Sequence, residues 1–273
     1  MVVFPNCKIN LGLHVTSKRS DGYHNIETLF FPIPLHDSLE IIPSPGAFEF
    51  KLYGIPLDDT SKNLCVQAYD LVKKDFPSLP EVKMFLLKAI PTGAGLGGGS
   101  SDATFTLQLL NKTFDLSLSK EQLLIYATSL GSDCPFFLTN KPCIATGRGE
   151  TLEEIDISLK GYSIVLVHPG IHVSTAGAFS KLNPVQAVNS IKELVMLPID
   201  QWKNKLVNDF EPTVFDLHPE IANVKSALYA NGAVYASMSG SGSSVYGIFK
   251  KGTEPEQAKV TGGAPYLYKI FYF

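Results

Sequence analysis

Residues 91–101 read Pro91-Thr92-Gly93-Ala94-Gly95-Leu96-Gly97-Gly98-Gly99-Ser100-Ser101, which places five glycines in seven positions and then two hydroxyls. Before them, Val82-Lys-Met-Phe-Leu-Leu-Lys-Ala89 has the character of a strand. After them, Ala103, Leu107, Leu110 and Phe114 recur at helical spacing, with Ser100, Ser101 and Asp102 available to cap the first turn. A strand, a glycine loop and a helix start in succession form an anion site. Glycine admits positive φ and lets backbone N–H groups close on a ligand, and a helix N-terminus adds about half a positive charge. Phosphate is the anion this stretch predicts.

The loop is not of the Walker type, because no G-x-x-x-x-G-K-[ST] occurs and no lysine follows the glycines. Gly93, Gly95 and Gly98 do spell G-x-G-x-x-G. A dinucleotide site also needs an acidic residue about 20 positions on, at the end of a second strand. Glu121 is near that spacing but sits in a helical pattern. The elements V-A-I-K, H-R-D and D-F-G of a protein kinase are missing.

At 273 residues the chain can bury a large core and is expected to hold two domains. A net charge of −3 argues against a general nucleic-acid surface, so any anion affinity must be local. No apolar run approaches the roughly 20 residues that span a bilayer. The opening Met-Val-Val-Phe-Pro-Asn lacks the pattern of a signal or transit peptide. Cys7, Cys65, Cys134 and Cys143 show neither C-x-x-C nor zinc spacing and are expected as free thiols in a reducing cytoplasm.

The first strand alternates strictly. Cys7, Ile9, Leu11, Leu13 and Val15 face one way; Asn6, Lys8, Asn10, Gly12 and His14 face the other. This predicts a half-buried strand with Lys8 and Asn10 about 7 Å apart on its polar face. Asp21-Gly22 turns the chain into a second strand, and shorter strands are expected near 38–42 and 47–53. Helices are predicted from Ser61 to Lys74 and from the capping box Ser119–Gln122 to Gly131, the latter with Leu123, Leu124, Ala127 and Leu130 inside. The domain boundary falls near 155, where the chain turns polar and acidic before the apolar Tyr162–His168. Helices near 174–181, near 186–196 and from Pro219 to Asn231-Gly232 follow. Two strands then flank a second loop, Ser239-Gly-Ser-Gly-Ser-Ser244, and the aromatic tail 266–273 is a final strand that would be an association surface if exposed. Two glycine-rich loops in different halves suggest a ligand held between domains.

Three of these segments, Asn6-Cys-Lys-Ile-Asn-Leu-Gly-Leu13, the Pro91–Ser101 loop and Met238-Ser-Gly-Ser-Gly-Ser-Ser244, resemble the three motifs of the galactokinase/homoserine kinase/mevalonate kinase/phosphomevalonate kinase superfamily. More narrowly, Lys18-Arg-Ser-Asp-Gly-Tyr-His24 and Gly131-Ser-Asp-Cys-Pro-Phe-Phe137 resemble its 4-diphosphocytidyl-2-C-methyl-D-erythritol kinase family. The resemblance extends over nearly the whole chain. It implies a two-domain α+β fold with the active site in the interdomain cleft: residues 1–155 as a ribosomal-S5-like ATP-binding domain, 156–273 as a ferredoxin-like domain on the substrate side. It also implies ATP-dependent phosphorylation of the 2-hydroxyl of the cytidylyl-methylerythritol in the non-mevalonate isoprenoid pathway, with Mg²⁺ accompanying ATP. The partners it implies are ATP and the small-molecule acceptor; neither nucleic acid nor membrane is expected, and no protein partner is evident.

Residue by residue, the resemblance implies catalysis by Lys8 and Asp133. It assigns ATP to Pro91, Thr92, Gly93, Ala94, Gly95, Leu96, Gly97, Gly98, Gly99, Ser100 and Ser101, and the acceptor to Asn10, Tyr23, His24, Thr175 and Phe179. Without it, Asp133 reads as a helix N-cap before Cys134-Pro135. The metal's ligands are unassigned, with Ser100 and Ser101 as candidates. Two positions depart from the family pattern: Cys7 stands where alanine is common, and Asp102 where asparagine is frequent, which would set a carboxylate against the triphosphate unless it points away. An acceptor without a nucleobase, such as mevalonate or homoserine, would have no use for the Asp-Gly-Tyr-His segment.

Overall fold

The computed structural model describes the chain except residues 58–62, 181, 183 and 185–187. In chain order it begins with β1 (Val2–Val3), β2 (Asn6–Lys18), β3 (His24–His36), β4 (Ser38–Pro43) and β5 (Glu49–Gly54). Then come α1 (Leu64–Asp75), β6 (Val82–Lys88), α2 (Gly98–Thr113), α3 (Lys120–Leu130) and α4 (Phe136–Thr139). After β7 (Cys143–Gly147), β8 (Thr151–Glu154) and β9 (Tyr162–His168) follow α5 (Thr175–Ser180), α6 (Ile191–Val195), α7 (Glu211–Leu217) and α8 (Pro219–Ala230). The chain ends with β10 (Tyr235–Met238), β11 (Val245–Lys250), α9 (Gln257–Thr261) and β12 (Leu267–Tyr272). Among the described residues no helix is long and apolar enough to cross a membrane. The mixture of helices and strands is the expected α+β class.

The chain packs as two compact units. One holds Met1–Lys8, Pro32–Thr92 and Gly97–Lys141; the other holds Ile9–Phe31, Gly93–Leu96 and Pro142–Phe273. In the first unit, β4 lies antiparallel to both β1 and β6, and β5 runs parallel to β6 at the edge. Alternation along β6 sends Val82, Met84 and Leu86 into the core against Cys65, Ala68 and Val72 of α1 and Ala103, Leu107 and Leu110 of α2. Lys88 takes the next inward position of that row, so a charge enters the interior at the strand's end. Helix α1 starts at Leu64, with the Asn63 side chain accepting from the Cys65 N–H (2.8 Å); Ser61, where its start was expected, lies outside the described residues.

Helix α3 has the expected capping box, Ser119 and Gln122 bonding reciprocally. Its predicted inner face is corrected at one position: Leu123, Ala127 and Leu130 meet the core, but Leu124 points outward. At 100° per residue Leu124 cannot share the i, i+4, i+7 line with them. The capping of α2 is also corrected. It begins at Gly98, and its N-cap is Gly97, with φ +69° and no side-chain cap. Ser100, Ser101 and Asp102 are therefore inside the helix, and none of them caps it.

In the second unit, β10, β11, β9 and β12 form an antiparallel sheet in that order. Its apolar residues pack with Val214 of α7 and Ile221, Val224 and Leu228 of α8. The hairpin of β10 and β11 pairs Met238 with Val245, so Ser239–Ser244 is its loop. The C-terminal tail is a strand, as expected, and it pairs with β9 from Ser163 to His168; Leu267, Tyr268, Ile270 and Phe271 are partly covered. Strands β2, β3, β7 and β8 form a further sheet in that order. Here the half-buried expectation fails: β2 is buried from Asn6 to Val15 on both faces. The alternating polar residues stay inside because each has a partner, as burial of a polar group requires. Asn10 donates to Thr28 Oγ1 (3.0 Å), and His14 Nδ1 lies 3.4 Å from Asp209 Oδ1.

Candidate active site

In the first unit, β2 presents Lys8, 4% exposed, with its Nζ 3.4 Å from Asp133 Oδ2; the carboxylate side chain is 31% exposed. Asp133 sits in the turn after α3, where Cys134 N–H bonds to Gly131 O (3.2 Å). It does not cap a helix, because Pro135 is the N-cap of α4. The turn is tied to α2 by Thr104, whose Oγ1 donates to Cys134 O (2.9 Å) and to Ser100 O (2.9 Å). Gly97 lies against Lys8: a β-carbon there would stand 3.2 Å from Lys8 Cε and 3.3 Å from Cγ. The helix-initiating glycine thus brings backbone, and the start of α2, directly to the lysine. A partly open carboxylate beside a buried ammonium, next to a helix N-terminus, can accept a proton on one side and meet phosphate charge on the other.

Below the loop lies a buried charge cluster. Asp37 accepts from Lys88 Nζ and from the N–H groups of Ala89 (2.5 Å) and Ile90 (2.8 Å), the two residues that lead into Pro91. Lys88 Nζ also donates to Asp102 Oδ2 (2.8 Å), on the first turn of α2. One ammonium therefore joins the end of β6 to the start of α2. Burial pushes the Asp102 carboxyl up to about 8, against the opposing pull of Lys88. Burial acts to lower Lys88, and the charges of Asp102 and Asp37 outweigh it, so the ammonium is held above its usual range. The departure at Asp102 thus sets no free carboxylate against the loop: the side chain is 3% exposed, turned inward and bonded to Lys88. Of the serine pair, Ser101 is fully buried and Ser100 half-buried.

The tip of the glycine loop, Gly93–Leu96, belongs to the second unit and is stitched to the second loop. Ser239 Oγ donates to Gly95 O (2.8 Å) and accepts from Asn10 N–H (3.2 Å), and Ser244 N–H donates to Ala94 O (3.2 Å). Gly95 must be glycine, since φ is +77° and a β-carbon would stand 1.9 Å from Ser239 O. The second loop is held from below by Asn208, whose Nδ2 donates to Met238 O and Gly240 O (both 2.8 Å). Glu211 accepts from Ser237 Oγ (3.0 Å) and Met238 N–H (2.8 Å).

Also in the second unit, the Asp21-Gly22 turn is closed by Arg19 N–H on Tyr23 O (2.8 Å) and by Tyr23 N–H on Asp21 Oδ1 (3.1 Å). The latter bond lowers the Asp21 carboxyl below its ordinary range. Tyr23 emerges 58% exposed with Arg148 Cζ 5.0 Å from its ring centroid. His24 stacks on Phe179 (centroids 4.8 Å, planes 13° apart), which in turn meets Phe210 edge-on at 4.7 Å. Thr175 is exposed, with Oγ1 2.9 Å from Ser241 Oγ. Asn10 is 2% exposed and engaged by Thr28 and Ser239.

Of the residues marked from sequence, Lys8, Asp133 and Gly97 are together in the first unit, and His24 with Phe179, Asn10 with the loop tip, and Thr175 with the second loop in the second. Asp37, Lys88, Thr104, Asn208, Glu211 and Ser239 support these groups and escaped the sequence reading. Ser239 lay within a marked loop; the others carry no local signal. Among the described residues no group of three His, Cys, Asp or Glu side chains could hold a metal.

The curated 4-diphosphocytidyl-2-C-methyl-D-erythritol kinase of Bacteroides thetaiotaomicron is 52% identical over 261 residues, covering 94% of this chain and 95% of its own. The chain belongs to the 4-diphosphocytidyl-2-C-methyl-D-erythritol kinase family. A kinase of the same name from Cytophaga hutchinsonii is 48% identical, covering 94% of both chains. A crystal structure of 4-(cytidine 5'-diphospho)-2C-methyl-D-erythritol kinase superposes with a TM-score of 0.74 at 32% identity, over 90% of this chain and 89% of that one. The wider family is marked by the GHMP kinases N terminal domain over residues 63–141 and the GHMP kinases C terminal region over 191–261. A mevalonate kinase structure shares the fold, with a TM-score of 0.71 over 99% of this chain and 98% of that one, but only 13% of residues. Fold alone therefore does not separate this kinase family from its sister kinases.

Proposed function

We propose that this chain transfers the γ-phosphoryl group of ATP to the 2-hydroxyl of 4-diphosphocytidyl-2-C-methyl-D-erythritol, a step toward isoprenoid precursors. The observation that carries the chemistry is the Lys8–Asp133 pair, Nζ to Oδ2 at 3.4 Å, with Gly97 of the glycine loop against the lysine. Phosphoryl transfer asks the protein for positioning and charge stabilisation more than for covalent chemistry. In this reading Asp133 accepts the proton of the acceptor hydroxyl, and Lys8 meets charge on the transferred group. Residues Pro91–Ser101 hold the triphosphate with backbone N–H groups and the α2 N-terminus. The Gly97 cap, free of any side chain, supports this because it leaves the first N–H groups of the helix to a ligand.

Tyr23 and His24 recognise the cytosine, with Phe179 as an opposing wall, and Asn10 and Thr175 supply polar contacts to the acceptor. The exposure of the Tyr23 ring and the aromatic run His24–Phe179–Phe210 support this assignment. Mg²⁺ would arrive with ATP and neutralise β- and γ-phosphate oxygens. Such a cation keeps several waters and takes few protein ligands, which suits a chain whose described residues build no three-ligand cluster. The half-buried Ser100 hydroxyl is the candidate ligand. The two GHMP matches fall on either side of residue 155, which supports a functional division there into an ATP-binding part, 1–155, and an acceptor-side part, 156–273, although the packing units cut the chain differently. Four free, buried cysteines suit a reducing cytoplasm.

One assay tests the reading: ADP release with 4-diphosphocytidyl-2-C-methyl-D-erythritol, mevalonate and homoserine in parallel. Turnover with the first alone is the expected result, and preference for either of the others refutes it.

A further inference from the structure

We propose that His172 is a phosphate-binding residue of the glycine loop, donating an imidazole N–H to a phosphate oxygen held at the loop's tip. This rests on the reading of residues 91–101 as the phosphate cradle. In the second unit a β-carbon on Gly93 would stand 3.4 Å from His172 Nδ1 and 3.6 Å from Cε1, so the imidazole edge lies against the tip where the backbone turns with φ +63°. The two segments share one anchor. The chain beside His172 is fixed by Ser243 Oγ on Ile171 O (2.5 Å) and by the buried Val173. The tip is fixed to the same second loop by Ser239 and Ser244. The approach of His172 to Gly93 is thus set by three hydrogen bonds to loop 239–244.

His172 is exposed, and its side chain makes no hydrogen bond or ion pair with another described residue, so its N–H is open to a ligand. The nearby His168 differs. Its Nδ1 lies 3.4 Å from Ser243 Oγ and 3.3 Å from Ser244 Oγ, and burial lowers its pKa, which makes it a support of the second loop. The chemistry fills a gap in the loop itself. A Walker loop carries a lysine directly after its glycines to reach the phosphates, and this one continues with Ser100-Ser101-Asp102. Lys88, the basic residue just before the loop, is held between Asp37 and Asp102. A histidine delivered from the β9–α5 connection supplies a side-chain donor at the tip, and when cationic a charge-assisted one.

Both substrates carry phosphate, so the test has two arms, with His172→Ala and His172→Gln made in the full chain. With the other substrate saturating, His172→Ala raises KM for one of the two by roughly tenfold, as loss of a hydrogen bond to a charged group does. Its kcat stays within about twofold, and its Tm is unchanged. His172→Gln, which keeps an N–H donor, recovers part of the loss. A rise confined to ATP assigns the triphosphate; a rise confined to the cytidylyl substrate assigns its diphosphate; either supports the proposal. Unchanged KM values in both arms, or equal loss in His172→Gln and His172→Ala, overturn it. Gly97→Ala separates this from failure of the cradle reading. If that variant keeps its Tm and binds ATP as the native chain does in a calorimetric titration, the cradle reading and the proposal both fall. If it binds ATP weakly while the His172 variants behave as native, the proposal alone falls.

Discussion

Lys8 Nζ stands 3.4 Å from Asp133 Oδ2, and the lysine is almost wholly buried while the carboxylate keeps a third of its surface open. The asymmetry separates the two: the cation is buried on the strand that carries it, and the carboxylate is the member open to solvent. Asp133→Asn therefore lowers kcat by roughly 10²–10⁴-fold, the range for loss of a general base, with ATP affinity by calorimetry near native. Native-like turnover in Asp133→Asn would remove the residue from the mechanism. Lys8→Met leaves Asp133 without its cation and lowers kcat as well; a loss confined to KM would contradict its role.

Two loop glycines should respond oppositely to a methyl group. Gly95→Ala forces a β-carbon to 1.9 Å from Ser239 O at a positive φ, whereas the nearest atom to a β-carbon on Gly99 is Leu64 Cδ1 at 3.8 Å. Gly95→Ala should cost at least about 1–3 kcal/mol of stability and lower Tm by several degrees. Gly99→Ala, inside α2, should hold or raise Tm because alanine favours helix. Thermal unfolding followed by circular dichroism reads both.

Asp102 binds its proton more tightly folded than unfolded, so the stability it contributes is present at acid pH and is lost as pH rises toward about 8. Asp102→Asn has no such proton. The stability difference, native minus variant, should fall steadily between about pH 4 and pH 8, measured by urea unfolding at several pH values. A difference that grows with pH would mean that the carboxyl is ionised in the folded chain.

Tyr23→Ala should raise KM for the cytidylyl substrate more than for ATP, since an exposed ring beside Arg148 is an open stacking surface. Phe179→Leu should do the same more weakly, because it loses only the face now stacked on His24. Initial-rate kinetics with each substrate varied in turn decides, and a larger effect on ATP would move the cytosine elsewhere.

Much of the local structure was legible because its causes are local. The capping box at Ser119, the Pro219 start of α8 and the strands flanking Ser239–Ser244 each depend on residues a few positions apart. The α2 start was misplaced because three good capping side chains follow a glycine that starts the helix without one. Burial of β2 on both faces was not legible at all. Alternating polar residues read as solvent-facing until their partners are known, and Thr28, Asp133 and Asp209 are remote in the chain. The motifs marked the glycine loops and the Lys8–Asp133 pair; the supports beneath them, Asp37–Lys88–Asp102 and Asn208–Glu211, are set by tertiary pairing alone.

Each member of the Lys8–Asp133 pair has a cysteine as its immediate neighbour in the chain, Cys7 and Cys134, and both thiols are sealed from solvent. Burial drives the Cys7 thiol far above its ordinary range and Cys134 to about 11, so neither offers thiolate to an alkylating reagent while its segment stays closed. Maleimide or iodoacetamide uptake at these two positions is then a clock for local opening around the pair, running on the natural sequence with no label engineered in. Bound nucleotide that steadies the glycine loop beside Lys8 would slow that clock at Cys7.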